Sequence, residues 1–478
     1  MGIVQRKDKM TEAVSGEKIF VPSPEDFLQD PPQMREASQE QFPPVDGEPY
    51  VTVGIMSTSE IHFRFVGEYR CCATNEVYTG EHIGVRTGHK IKFDNQLFDE
   101  LLFEPLNTAS SVFELVDVTI GVGFHWERKE NQQFKGALKL MVEAGKLTAI
   151  NRILVEDYLY CVIASEMSAK ASLELLKAHA VISRSWLLAP VLNGNVTKGM
   201  AVNESHTETE LIKWYERDAH LHFDVCADDH CQRYQGVTRA CTPLVKTAIE
   251  ATRGEVLMYD NQICDARFSK SCGGVSELFE NCWAPEHYDY LTPIVDYPTT
   301  PEGYDMDLTK EVNADRWIRT APQAFCNTTD KKILEQVLNN YDQETTDFYR
   351  WKVVYTQTEL SALIRKRSGI DFGVITDLIP IERGTSGRLI KLKIVGTLKT
   401  LTVGKELEIR KWLSESHLYS SAFVVDKTAD GTFILIGAGW GHGVGLCQIG
   451  AAVMGEKGYK YDAILKHYFR GASLEKKY

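Results

Sequence analysis

The sequence predicts an α+β protein with a β-rich N-terminal region, a central helical pair and a second mixed α/β lobe. Three observations carry that expectation. Short runs from Tyr50 onward alternate apolar and polar residues, the period-two pattern of half-buried strands. The stretch ASLELLKAHAVISRSWLLA at 171–189 is apolar nearly all round, as helices in the middle of a domain are. Strand and helix signals then mix from 291 to 430. With 478 residues, 43% of them hydrophobic and 25% charged, the chain has room for more than one domain and for a full core.

Residues 1–46 hold six of the sixteen prolines and little apolar periodicity, which reads as an extended N-terminal arm. The β-rich region follows at 47–150, with strands expected in VTVGIM (51–56), IHFRFVG (61–67), IKFDNQLF (91–98), VTIGVGFHW (118–126) and KLTAINRILV (146–155). Residues 151–290 hold the helical pair. In VEDYLYCVIASEM, Leu159, Val162, Ile163 and Glu166 fall at i, i+3, i+4 and i+7, so a helix there projects the Glu166 carboxylate from its apolar face. Pro190 is expected to stop the second helix. In the second lobe at 291–430, Thr356 and Glu359 form a capping box for TELSALIRKR, and RLIKLKIVG (388–396) alternates like a strand. The end of the chain, 431–478, reads as a glycine-rich loop followed by helix that completes the region of the helical pair.

The balance of 53 Lys and Arg against 66 Asp and Glu, a formal charge of −13, argues against a nucleic-acid partner held by a net basic field. No run reaches the roughly 18 apolar residues of a transmembrane segment. The N-terminus has no apolar core of a signal peptide, and Arg6 stands where N-myristoylation needs Ser or Thr. The eleven cysteines are odd in number and irregularly spaced, which reads as reduced thiols in a reducing compartment, with metal ligation as the exception. By sequence alone the protein is expected in the cytoplasm.

Four clusters could carry chemistry. HLHFDVCADDHC places His220, His222, Cys226, His230 and Cys231 within twelve residues, a set of N and S donors that tetrahedral zinc prefers. The same run also reads as a surface loop rich in His and Cys. The turn at 271–274, SCGG, lets backbone approach a ligand closely at Ser271 and Gly273, or else Cys264, Cys272 and Cys282 are small buried hydrophobes. In GWGHGVGLCQIGA at 439–451, glycines surround Trp440 and His442 just before Gln448, as in a ligand-lining loop. Finally, Glu166 with Lys177, His179 and Arg184 reads either as an ion pair or as a protonated acid ready to donate.

Together, YLYCVIASEMSAKASLELLKAHAVISRSW, HFDVCADDHCQRYQG, TRGEVLMYDNQICDARFSKSCGGVSE and GWGHGVGLCQIGAAVMGEKGYKYDAILKHYFRGASL resemble the stage II sporulation protein D (SpoIID) and LytB amidase-enhancer family, from about 50 to 474. The resemblance implies a bacterial peptidoglycan lytic transglycosylase, a carbon–oxygen lyase cleaving the bond between N-acetylmuramic acid (MurNAc) and N-acetylglucosamine (GlcNAc). Its substrate would be peptide-stripped glycan strands, its products 1,6-anhydro ends. It implies Glu166 as catalytic acid with Arg184 as the basic residue of the following helix, and Lys177, Ser271, Gly273, Trp440, His442 and Gln448 against substrate. It further implies a structural zinc on His220, Cys226, His230 and Cys231, with His222 as a competitor. The chain departs from the family pattern at Ser168, where Pro follows the EM motif, and at Cys447, where Ser precedes the Gln. The family also implies the cell envelope or periplasm. Two other functions fit the same residues: a non-catalytic glycan-binding enhancer of an N-acetylmuramoyl-L-alanine amidase, and a zinc hydrolase using Asp228 or Asp229 as base.

Overall fold

The computed structural model describes residues 47–478 except 122–126, 169, 193–203, 216–219, 229–230, 239–241, 302–306 and 338–345. The expected arm at 1–46 and the expected ligand His230 lie outside the described residues. The architecture is α+β, with a β-rich N-terminal region.

Among the described residues that region supplies ten strands of an eleven-stranded sheet, the eleventh being Val225–Cys226. Alternation drives it: in the strand Glu60–Cys71, Ile61, Phe63 and Phe65 are buried while His62, Arg64 and Val66 face out. Phe65 stacks on Tyr69 at 4.3 Å, and Phe63, Phe93 and Phe103 join the same aromatic core. The segment 91–98 differs from expectation. It is a hairpin of Lys90–Phe93 and Gln96–Phe98, because Asp94 and Asn95 both take positive φ (44° and 62°), the backbone of a tight two-residue turn.

Helix α1 (Val155–Glu166) starts where the strand Lys146–Leu154 ends, and α2 (Leu173–Leu192) follows. The expected apolar face of α1 is present, with Leu159, Val162 and Ile163 fully buried. Among the described residues α2 is the one helix long and apolar enough to cross a membrane, yet most of it is packed inside the protein. Pro190 does not stop it, and the helix runs to Leu192. Two residues from the end, a proline forfeits its own N–H bond but leaves the earlier turns intact. The C-terminal helices Gln448–Glu456 and Tyr461–Tyr468 enter the same core as α1 and α2, and the strand Ser473–Lys476 pairs antiparallel with Glu255–Tyr259.

A second core gathers Trp351, Leu360, Ile364, Leu392, Trp412 and Leu435. Its helix Gln357–Ser368 carries the predicted capping box: the Glu359 N–H donates to Thr356 Oγ1 at 3.2 Å and the Thr356 N–H to Glu359 Oε2 at 2.9 Å. The strand Leu389–Gly396 is also as expected. Residues 291–337 instead give Leu291, Ile294, Phe325 and Leu334 to the first core.

Candidate active site and metal loop

Helix α1 ends on Glu166, with no basic residue in its last turn to offset the partial negative charge of its C-terminus. The carboxylate is half-buried, and its Oε1 accepts the Arg233 N–H at 3.1 Å. Arg233 follows the His and Cys loop, so the backbone of that loop grips the acid.

The loop is itself anchored on the N-terminal sheet. Val225 and Cys226 pair in parallel with Val53 and Gly54, and Asp224 Oδ2 accepts from the Thr52 N–H at 2.8 Å and from Thr52 Oγ1 at 2.7 Å. This brings one donor atom each from His220, Cys226 and Cys231 within 4.8 Å of one another. His220 Nε2 lies 3.5 Å from Cys231 Sγ. His222 is exposed and outside the group, so among the described residues His220 is the histidine that joins the thiols. One imidazole and two thiols at this separation fit a borderline-soft divalent ion.

Phe223 stacks on His220 with ring centroids 4.5 Å apart, and its ring lies over Gly54, where a Cβ would meet it at 2.5 Å. Gly54→Ala therefore must displace the ring that orients the imidazole. With zinc added as the probe ion, binding to this group is expected to be about tenfold weaker in the variant, as when an outer-shell partner of a ligand is lost. Competition against a chromophoric chelator measures it, and an unchanged affinity would show that Phe223 does not orient His220.

The glycine-rich loop closes on the SCGG turn. Ser271 and Trp440 exchange backbone hydrogen bonds of 3.0 and 2.8 Å, and the short strands Phe268–Ser269 and Leu446–Cys447 pair in parallel. Gly273 has φ +78°, and a Cβ there would stand 2.9 Å from Gly439 N. Only glycine allows that approach. Trp440, half-buried, lies between Phe348 and Tyr419 at 4.6 and 4.5 Å. Gln448 reaches across to the helical pair, its Nε2 3.1 Å from His179 Nε2 and 3.9 Å from the sulfur of Met167, the residue after Glu166.

Burial pushes the pKa of His179 down to about 3, with Lys270 adding to the effect. The ring is thus neutral. With Nε2 accepting from the Gln448 amide, Nδ1–H is left to donate to Ser183 Oγ at 3.2 Å. His442 is also held neutral, well below its usual range, by burial and by Arg267, Arg388 and Arg410. Its Nε2–H donates to Phe268 O at 2.9 Å and its Nδ1 accepts from the Val444 N–H at 3.0 Å, so both nitrogens serve the loop.

Several expected site residues sit elsewhere. Arg184 is not beside Glu166. It is fully buried and donates to both carboxylate oxygens of Glu156, at 2.9 and 2.7 Å. Glu156 opens α1 and Glu166 closes it, a separation of about 15 Å along the axis at 1.5 Å per residue. Lys177 engages Glu174 and the Tyr461 ring. Ser271 and Gln448 are buried, which makes them shapers of the loops rather than surfaces for a ligand.

Two buried charges were not legible as site residues. Arg388 donates to the carbonyls of Cys272 at 3.1 Å and Gly441 at 3.0 Å, tying the two glycine turns together. Glu277 accepts from Thr385 N and Oγ1, Ser386 N and Oγ, Leu278 N and Asn281 Nδ2, with distances of 2.5–3.1 Å.

Residues 143–259, which include α1, α2 and the metal loop, match the family model of stage II sporulation protein (SpoIID). That span carries a SpoIID domain. Residues 277–445 match a second model, a domain of unknown function (DUF8618), which includes Glu277 and Arg388. Among curated relatives, the chain is 24% identical to stage II sporulation protein D of Bacillus subtilis, over 68% of this chain and 76% of that protein. It is 24% identical to an uncharacterized protein of Brachyspira hyodysenteriae, over 83% of this chain and 89% of the other. It is 25% identical to the amidase enhancer of Bacillus subtilis, over 66% of this chain but only 39% of that longer protein.

Proposed function

We propose that this protein acts on the bacterial cell wall as a lytic transglycosylase, cleaving the MurNAc–GlcNAc bond of peptide-stripped glycan strands. One observation carries the reading. Glu166 meets the metal loop through Arg233, and its neighbour Met167 meets the glycine loop through Gln448, so motifs far apart in sequence meet at the end of α1.

A single carboxyl group suffices for this reaction. Glu166 donates its proton to the glycosidic oxygen as the C1–O bond breaks, and the GlcNAc side leaves with a new 4-hydroxyl. The resulting carboxylate takes the proton from the C6 hydroxyl of the muramic acid residue as that oxygen bonds to C1, closing a 1,6-anhydro ring. Glu166 ends protonated and no water is consumed. Because the nucleophile belongs to the substrate, no second carboxylate is needed to position a water, unlike in most glycosidases. The half-buried indole of Trp440, flanked by Phe348 and Tyr419, gives a sugar face an apolar surface to lie on.

Zinc on His220, Cys226 and Cys231, with His230 as fourth ligand, would be structural and would hold the loop that presents the Arg233 N–H. Cys226→Ser should lower both zinc content and melting temperature, and a melting temperature equal to wild type would remove zinc from the folding of this loop. Digestion of naked and peptide-bearing glycan strands, with mass spectrometry for anhydro ends, tests the reaction. If wild type releases nothing from naked glycan, the transglycosylase reading fails. The observation favouring a second reading, an amidase partner on a glycan-bound protein, is the amidase-enhancer relative. Stimulation of an amidase by Glu166→Gln protein equal to wild type would support it.

A further inference from the structure

We infer that Cys272, Cys326, Cys447 and Asp296 form a second metal site, separate from the His and Cys loop, which binds a divalent cation of the zinc class inside the core. The four residues come from distant parts of the chain: the SCGG turn, two segments of the following stretch, and the end of the glycine loop. One donor atom from each lies within 4.8 Å of the others. All four residues are buried, at 3%, 0%, 0% and 0% exposure. Cys272 Sγ and Cys326 Sγ are 3.6 Å apart. A tetrahedron with metal–sulfur bonds of about 2.3 Å has an edge of about 3.8 Å, so little movement is needed to seat an ion.

Backbone N–H groups and one hydroxyl already point at the donor atoms. The sulfur of Cys447 accepts the N–H groups of Cys272 at 3.3 Å and Gly450 at 3.4 Å, and the sulfur of Cys272 accepts the Gly274 N–H at 3.4 Å. Backbone donors aimed at sulfur stabilise thiolate charge. Asp296 Oδ2 accepts the Cys326 N–H at 3.0 Å and Oδ1 accepts from Tyr468 Oη at 2.7 Å, which fixes the carboxylate and leaves each oxygen a further lone pair. Three buried thiols alone would pass as small hydrophobes. A carboxylate held among them adds an oxygen donor, which a purely apolar cluster of thiols has no need of. Among the described residues the basic side chain within salt-bridge reach of Asp296 is His467, at 3.8 Å. With an ion seated, three thiolates and one carboxylate would give the site the formal charge of a four-cysteine zinc site.

The ion would clamp Cys272, next to Ser271, to Cys447, next to Gln448. This inference does not rest on the proposed reaction, and its test reads metal rather than activity. Full-length protein purified without oxygen should contain about two zinc ions per chain, and Cys226→Ser and Cys447→Ser about one each. Serine is chosen because Cys447 caps the helix Gln448–Glu456 by accepting the Gly450 N–H, a role serine fills while removing the soft ligand. Should Cys447→Ser misfold, cobalt loaded into Cys226→Ser protein reads the same site, where sulfur-to-cobalt charge-transfer absorption is expected. One zinc in wild type with none in Cys226→Ser overturns the inference. So does absence of that absorption, or a Cys272–Cys326 disulfide in peptides mapped without reduction.

Discussion

Glu166→Gln is expected to abolish anhydro-product formation while leaving the fold intact. The loss should be about 10²–10⁴-fold, toward the upper end because one residue serves as both acid and base. Glutamine keeps an oxygen to accept the Arg233 N–H at the position Glu166 Oε1 holds, so the grip of the metal loop survives the change. What is lost is a proton that can be transferred. Melting temperature and product release are to be measured on the same preparation. A stable variant that releases no anhydro ends supports the acid and base role. A destabilised variant whose folded fraction cleaves at the wild-type rate would make Glu166 a structural residue, and the mechanism would fall with it.

The elements that depend on local pattern were legible in the sequence, and the contacts that depend on long-range pairing were not. Alternation in 61–67 and 388–396, the Thr356 capping box and the apolar face of α1 all recur in the structure, because each is set by residues within a turn or two of one another. The hairpin at 91–98 was missed because Asp-Asn is a weaker two-residue turn signal than Asn-Gly or Asp-Gly. The grouping of His220 with Cys226 and Cys231 was legible from spacing, while the choice against His222 needed the stacking of Phe223 over Gly54. Arg388 opens a segment that reads as an ordinary strand, and nothing local signals that its guanidinium is buried under two glycine turns. Asp296 likewise sits in an unremarkable stretch, and its thiol neighbours Cys272 and Cys447 are 175 residues apart. Burial of a charge is a property of the partner segment, which local sequence does not name.

Glu156→Ala is expected to be the most destabilising single change on α1. Its carboxylate takes both contacts from Arg184, the Gly254 N–H at 3.2 Å and the Tyr478 hydroxyl at 2.7 Å, and it is buried with 4% exposure. Removing it leaves the Arg184 guanidinium in the core with the Glu255 carbonyl, at 2.9 Å, still accepting from it. Breaking a buried pair from one side costs about 3–5 kcal/mol, which the shift of the urea midpoint at constant slope will read. Replacing both partners, Glu156→Leu with Arg184→Met, should recover much of that loss, since apolar residues of similar volume carry no desolvation penalty. The double variant also decides what Arg184 does. Seated on Glu156 at the far end of the helix from Glu166, Arg184 should be dispensable for turnover per folded molecule. If the double variant regains stability yet loses anhydro-product formation, Arg184 acts on the reaction after all, and its placement on Glu156 is then the means by which it orients α1 rather than a matter of stability alone.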